Sequence, residues 1–122
     1  MIVGIGTDLI EIDRVVKACE RKSFALKYFT ENEISLAQKN VNIYADNFAV
    51  KESISKMLGT GFREITPIEI EVLRDSYGKP YVNLQGEALR ISRLLGITKI
   101  FVTISNTKKY ANAFVVGEGE PL

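Results

Sequence analysis

Lys99-Ile100-Phe101-Val102-Thr103-Ile104-Ser105 and Tyr110-Ala111-Asn112-Ala113-Phe114-Val115-Val116 are two β-rich runs separated by Asn106-Thr107-Lys108-Lys109. Branched and aromatic side chains suit a pleated, half-buried surface, and a short polar break between two such runs predicts a hairpin. Upstream, Ile68, Ile70 and Val72 alternate with Glu69 and Glu71, which predicts a strand with one wet face. Asp75 to Pro80 reads as a turn, Tyr81 to Leu84 as a short strand, and Glu87 to Leu95 as a helix ended by Gly96. The first half has a different period. Ile2-Val3-Gly4-Ile5-Gly6 reads as a buried strand whose glycines permit close backbone approach. Asp8-Leu9-Ile10-Glu11 has the spacing of a helix start, followed by Ile12, Val15, Val16 and Cys19 at helical intervals. Phe24 to Phe29 predicts a short turn of helix. Thr30 with Glu33 forms a capping box, and Asn42 to Leu58 predicts a long helix closed by Gly59-Thr60-Gly61. Helices fall mostly early and strands mostly late. The expectation is one α+β domain over residues 1–122, with helices packed on an antiparallel sheet.

Composition narrows the function classes. The chain has 122 residues, 46% apolar and 25% charged, and a net charge of +1. This describes a globular protein with enough chain to bury a core, and its charge is far from that of a nucleic-acid-wrapping domain. Its single cysteine, Cys19, cannot form an internal disulfide, which suits a reducing compartment. No apolar run has the roughly 20 residues of a membrane span, and Met1-Ile2-Val3-Gly4 lacks the charged start of a signal peptide. The expectation is a cytoplasmic protein with neither membrane nor nucleic-acid partner. Histidine is absent. Serine–histidine triads, cysteine–histidine pairs and histidine-bearing zinc sites are therefore excluded. Acid–base work falls to carboxylates, lysine, tyrosine, thiol or water.

Three residues stand out against that background. Asp8, at the mouth of the first strand, fits either an N-cap or a metal ligand. Glu52 and Lys56 share a helix face at i, i+4, as a solvated ion pair would, or as a metal ligand beside a phosphate-binding ammonium would. Mg²⁺ commonly takes only one or two protein carboxylates and completes its octahedron with water and substrate phosphate, so Asp8 and Glu52 would suffice. Gly59-Thr60-Gly61 follows a helix where a phosphate loop precedes one, and reads as a C-cap. Arg14, Lys17, Arg21 and Lys22 cluster near the first helix, as a solvated face or as a docking patch for an acidic protein.

Five segments in order resemble one family. They are Gly4-Ile5-Gly6-Thr7-Asp8-Leu9-Ile10-Glu11-Ile12-Asp13-Arg14-Val15, then Phe29-Thr30-Glu31-Asn32-Glu33-Ile34, then Phe48-Ala49-Val50-Lys51-Glu52-Ser53-Ile54-Ser55-Lys56-Met57-Leu58-Gly59-Thr60-Gly61, then Gly78-Lys79-Pro80-Tyr81, and finally Ile104-Ser105-Asn106-Thr107-Lys108-Lys109-Tyr110-Ala111. Together they look like the holo-acyl-carrier-protein synthases, the small bacterial type of 4′-phosphopantetheinyl transferase. The resemblance implies transfer of 4′-phosphopantetheine from coenzyme A to a serine of apo-acyl carrier protein, with release of adenosine 3′,5′-bisphosphate, in support of fatty acid synthesis. It implies Asp8 and Glu52 as ligands of Mg²⁺ and Lys56 against a phosphate; Glu52, directly or through a metal-bound water, is the candidate for deprotonating the serine. Coenzyme A would touch Lys51, Ser55 and Lys56, and Gly78, Lys79, Pro80, Ser105, Asn106 and Thr107 of a neighbour, in a homotrimer with sites between subunits. Arg14 and Arg21 would dock the carrier protein.

Two positions depart from the family pattern. Asn106 stands where a histidine is usual, which removes proton transfer there and keeps hydrogen bonding. Asn47 stands where an arginine often precedes the aromatic Phe48, so one phosphate contact is absent unless Lys51 or another basic residue replaces it. The chief alternative is a non-catalytic carrier-binding module on the same fold. A small nucleic-acid-binding α+β domain is a more distant one.

Overall fold

The computed structural model describes residues 1–121. Its elements are β1 (Ile2–Glu11), α1 (Ile12–Cys19), α2 (Lys22–Tyr28), α3 (Glu31–Lys39), α4 (Asn42–Leu58), a 3₁₀ turn (Pro67–Glu69), β2 (Ile70–Arg74), β3 (Pro80–Leu84), α5 (Gly86–Leu94), β4 (Ile97–Asn106) and β5 (Tyr110–Gly119). The strands form an antiparallel sheet in the order β1-β5-β4 and a separate hairpin of β2 and β3. The α+β class with helices on antiparallel sheet is as the sequence pattern implied.

β5 is the central strand, and its period of two organises the core. Ala111, Ala113 and Val115 face α4 and are buried, while Tyr110, Phe114 and Glu118 face outward. Ala45, Ala49, Val50, Ile54, Met57 and Leu58 of α4 meet that inner face, joined by Ile12, Ile70, Val72, Ala88 and Ile97. A second cluster of Cys19, Ala25, Phe29, Ala37 and Tyr44 fastens the three early helices to α4.

The helix expected to start at Asp8 starts instead at Ile12. β1 pairs with β5 out to Glu11, placing Asp8 opposite Ala113. Glu11 precedes α1 without a side-chain cap, and the Ile12 N–H goes to the Lys109 carbonyl at 2.8 Å. The strand's alternation of Gly4, Gly6 and Asp8 inward with Ile5, Thr7 and Leu9 outward overrides the local cap-like spacing.

The wet-faced strand from Ile68 is also corrected. Pro67–Glu69 is a 3₁₀ turn, and Glu71 is buried. Glu71 accepts hydrogen bonds from Thr30 Oγ1 at 2.6 Å and from the Asn32 and Asn83 amides, each at 3.3 Å. Burial works to raise its pKa, but these donors prevail and hold it below the ordinary carboxylate value.

The capping box is present as read, and Glu33 does more than cap. Its oxygens accept from Thr30 N at 3.1 Å, Lys51 Nζ at 2.8 Å, Asn47 Nδ2 at 2.9 Å and Val72 N at 3.3 Å. A single fully buried carboxylate thus ties α3, α4 and β2 together.

Candidate active site

Asp8, Glu52 and Lys56 meet because β1 and α4 touch backbone to backbone. A Cβ on Gly6 would lie 1.8 Å from the Ser53 carbonyl oxygen, and one on Gly4 would lie 2.5 Å from that of Met57. Only glycine lets the helix sit this low on the strand. The next inward residue after Gly4 and Gly6 is Asp8, which therefore emerges beside the helix face carrying Glu52 and Lys56.

Lys56 Nζ lies 2.9 Å from Asp8 Oδ1 and donates a second hydrogen bond to the Thr7 carbonyl at 2.9 Å. The ion pair expected within the helix, Glu52 with Lys56, is thus replaced by one across the helix–strand seam. Lys56 remains 53% exposed and Asp8 18%, so the ammonium faces solvent while the carboxylate is sheltered. The Glu52 carboxylate accepts no hydrogen bond among the described residues. Burial chiefly, and then the negative charge of Asp8, raise its pKa, with Lys56 opposing. Two sheltered carboxylates repelling one another beside an exposed ammonium make a site that gains from a hard cation and an anionic ligand together. No group of three or more metal-ligating side chains gathers among the described residues, so a cation here would take these two and draw other ligands from water or substrate. Asn112, absent from the sequence reading, braces the site by donating to the Asp8 carbonyl at 2.9 Å and to Thr7 Oγ1 at 3.3 Å.

Lys51 and Ser55 are corrections. Lys51 is fully buried and donates to Glu33 Oε1 at 2.8 Å, to the Pro67 carbonyl at 2.9 Å and to the Ile70 carbonyl. All three ammonium protons are used, so none remains for a ligand. Burial lowers its pKa, with Glu33 opposing. Ser55 is 1% exposed and gives its proton to the Glu52 carbonyl at 2.6 Å. One lies on the core side of α4 and the other under its last turns, and both serve the fold.

The remaining predicted residues occupy other parts of the surface. Asn106, at the end of β4, donates to Asp46 Oδ1 at 2.8 Å. Asp46 precedes Glu52 by six residues, about 9 Å along the helix. Burial raises the Asp46 pKa, against the Asn106 hydrogen bond and the charge of Arg74. Asn47 is fully buried, and Arg74 reaches its Oδ1 at 2.8 Å, so a cation from β2 stands beside the position where the family pattern has one. Ser105 and Thr107 flank Asn106, and Thr107 Oγ1 accepts from the N–H groups of Lys109 and Tyr110. Gly78, Lys79 and Pro80 form the β2–β3 turn, with Gly78 at φ 84° and Asp75 Oδ1 accepting from Lys79 N at 2.9 Å. A groove at this turn is lined by Asp75, Lys79, Pro80, Tyr81 and residues 99–102, and the chain does not bring it to the carboxylate pair. Arg14 lines a groove of about 500 Å³ with Leu9, Phe24, Phe48 and Tyr110. Arg21 is exposed where α1 gives way to α2.

The family model for the 4′-phosphopantetheinyl transferase superfamily matches residues 4–115. The chain belongs to this superfamily. Within it, the holo-[acyl-carrier-protein] synthase of Lachnoclostridium phytofermentans is 57% identical over 118 residues, covering 97% of each chain. The crystal structure of the Neisseria meningitidis synthase superposes with a TM-score of 0.85 at 32% identity, covering 97% of this chain and 99% of that one. The Bacillus anthracis synthase, solved in complex with CoA (3′,5′-ADP), superposes with a TM-score of 0.80 at 35% identity, covering 98% and 99%. The match spans the seam glycines, Asp8, Glu52 and Lys56, all within residues 4–115. It also makes the chain an enzyme of the holo-[acyl-carrier-protein] synthase type.

Proposed function

We propose that this chain transfers 4′-phosphopantetheine from coenzyme A to a serine of apo-acyl carrier protein, with Mg²⁺, in the cytoplasm, in support of fatty acid synthesis. The observation that carries the reading is the Asp8–Glu52–Lys56 cluster at the β1–α4 seam, in a chain of this family. Asp8 and Glu52 would hold Mg²⁺, which would neutralise the diphosphate of coenzyme A. Lys56, exposed at the rim, is placed to meet a phosphate oxygen and to stabilise charge on the departing adenosine 3′,5′-bisphosphate. Glu52 is the candidate base for the incoming serine hydroxyl. Its unpartnered, partly buried carboxylate is a better proton acceptor than a solvated one, because burial and Asp8 favour its protonated form.

We further propose a homotrimer with sites shared between subunits. The outer face of the sheet supports it. Ile5, Phe101 and Val116 form one row across β1, β5 and β4, Phe114 lies in the next, and Leu9 in the third. Leu9 is 62% and Ile5 59% exposed, an apolar face uncommon on a monomer. A neighbour seated there would bring its Gly78, Lys79 and Pro80, or Ser105 to Thr107, toward a carboxylate pair that they do not reach within one chain. Arg14 and Arg21 present cations on the α1 side for an acidic carrier protein.

The deciding experiment incubates the protein with apo-acyl carrier protein, coenzyme A and Mg²⁺ and records the carrier's intact mass. A gain of one phosphopantetheine, abolished by chelator, is expected. Carrier binding without a mass gain would give the lead to the non-catalytic module.

A further inference from the structure

Asp46 Oδ1 takes one Nδ2 proton of Asn106 at 2.8 Å, a side-chain bond from the end of β4 to the first half of α4. The pair lies apart from the Asp8–Glu52–Lys56 cluster. We propose that Asp46 is a positioning residue for the transfer reaction: it fixes the Asn106 amide so that the second Nδ2 proton and the carbonyl oxygen are offered to coenzyme A at a neighbouring subunit's site. The inference rests on the shared-site reading above and adds to it a residue that does not itself touch the ligand.

An exposed asparagine at a strand end needs such a fixture. Its last side-chain torsion has two broad minima, so either edge of the amide can face a given neighbour. An ionised carboxylate only accepts, so it holds the nitrogen edge and turns the oxygen edge away. With Asp46 beside it, Asn106 keeps one orientation. No second hydrogen bond occupies the Asn106 side chain among the described residues, so one donor and one acceptor stay free on its exposed side.

The mount is tied to the core. Asp46 is half-buried, and burial favours its protonated form, opposed by the Asn106 hydrogen bond and the charge of Arg74. Arg74 is fixed in turn, with Nη2 donating to Asn47 Oδ1 at 2.8 Å and Nη1 to the Leu73 carbonyl at 3.2 Å. Asn47 is fully buried and gives its amide protons to Glu33 Oε2 at 2.9 Å and the Val72 carbonyl at 3.0 Å. Polar support therefore runs from the buried Glu33 through Asn47 and Arg74 to Asp46. A ligand-facing group is held best when its supports are themselves locked in this way.

Closing the hairpin turn does not require the Asp46 bond. Thr107 N donates to the Tyr110 carbonyl at 2.8 Å, Thr107 Oγ1 accepts from Lys109 N and Tyr110 N, and the Lys109 carbonyl takes the Ile12 N–H. These bonds set the backbone around Asn106. What Asp46 adds is the direction of the side chain. Sheltering a carboxylate costs desolvation, which an already closed turn does not explain.

Calorimetry with Mg²⁺ and coenzyme A, beside steady-state kinetics, tests the assignment. Asn106→Ala is expected to weaken coenzyme A about tenfold. Asp46→Ala should weaken it about three- to tenfold and raise the KM for coenzyme A more than it lowers kcat, the mark of lost ground-state binding. The double variant Asp46→Ala/Asn106→Ala should bind no more weakly than Asn106→Ala, because Asp46 acts only through the amide. Asp46→Asn keeps the shape but can face Asn106 with either edge. It should share the loss and the non-additivity, and it decides the matter if Asp46→Ala does not fold. Wild-type affinity in the Asp46 variants beside an impaired Asn106→Ala would overturn the inference alone. So would losses that add in the double variant, which would make Asp46 a support of the fold. Wild-type affinity in Asn106→Ala would overturn the inference together with the shared-site reading. Failure of the wild type to bind coenzyme A would sink the transferase reading itself.

Discussion

Lys56 reaches across the helix–strand seam to Asp8 at 2.9 Å, although Glu52 lies one turn back on its own helix. The geometry leaves Glu52 unpartnered and holds Asp8 by one oxygen only. Chemically the three behave as a unit, so removing any one alters the other two.

Asp8→Asn and Glu52→Gln are each expected to lower kcat/KM by about 10²–10³-fold and to raise the Mg²⁺ concentration needed for half-maximal rate. Lys56→Met should lower kcat by about 10²-fold and shift the Mg²⁺ requirement less than either carboxylate change does. The double variant Asp8→Asn/Lys56→Met should lose less than the product of the single losses, because the pair acts as one. Steady-state kinetics across a Mg²⁺ titration checks all three. A Glu52→Gln enzyme with full turnover at saturating Mg²⁺ would remove Glu52 as the base.

The seam itself predicts a contrast between glycines. Gly6→Ala forces a Cβ into the Ser53 carbonyl and should cost about 3 kcal/mol or prevent folding, since both partners are backbone. Gly59→Ala meets no atom within 4 Å and strains only its φ of 80°, which should cost about 1 kcal/mol. Urea unfolding of the two variants measures the difference. Equal costs would mean that the close approach is not what glycine is there for.

Much of this was legible in the sequence, for a physical reason. Capping boxes, glycine C-caps and hairpin periods are local signals, and Thr30, Gly59 and the β4–β5 pair all obeyed them. The failures arose where distant residues decide the outcome. Asp8 looks like a helix cap until β5 pairs with it. Lys51 looks like a ligand-binding lysine because nothing nearby in sequence says that Glu33, eighteen residues away, will bury it. Glu71 alternates like a wet-face residue because its partners Thr30 and Asn32 lie about forty residues upstream, at separations of 41 and 39. Spacing alone left Asp8 between a helix cap and a metal ligand, and Glu52 between a solvated ion pair and a metal ligand; the family motif favoured the metal reading of both.

Lys51 then carries a prediction opposite to that of a binding residue. Lys51→Met leaves Glu33 buried with one fewer donor and should cost about 3–5 kcal/mol in stability. The double variant Glu33→Leu/Lys51→Met should recover part of that loss. Where folded enzyme is obtained, affinity for adenosine 3′,5′-bisphosphate should match the wild type within twofold. A selective loss of bisphosphate affinity in a stable Lys51→Met protein would return Lys51 to the ligand site.

Acid stability should depend on Glu71. Its folded pKa lies below the ordinary value of 4.5, because the Thr30, Asn83 and Asn32 donors outweigh burial. A depressed carboxylate stabilises the fold above its unfolded pKa and loses that contribution as pH falls through its folded pKa. Glu69, held by Thr66 and Ala88, acts in the same direction. Wild-type stability should therefore fall as pH drops below about 4.5, and Glu71→Gln should be less stable at pH 7 with a shallower acid slope. Urea midpoints at several pH values between 2 and 7 give both quantities. An unchanged slope would show that the buried carboxylate titrates alike in both states.

The uncovered sheet face leads to the last prediction, which separates assembly from catalysis. Phe114→Asp puts a charge at the centre of the outer face, between Thr7 and Thr103. It should yield a monomer by analytical ultracentrifugation, with inner-face packing and helical circular dichroism kept, because Phe114 is 41% exposed in the isolated chain. If sites are shared, that monomer is inactive although Asp8, Glu52 and Lys56 are intact. Mixing then tests the sharing directly. Under the proposed trimer, Asp8→Asn and Lys79→Ala subunits would each be impaired alone, since every shared site would lack one residue. A mixed trimer would then contain an interface at which Asp8 of one subunit and Lys79 of the other are both present. Activity that rises on mixing and unfolding–refolding the two variants together would mean that each site draws on two chains. Activity equal to the mean of the separate preparations would mean that each chain carries its own.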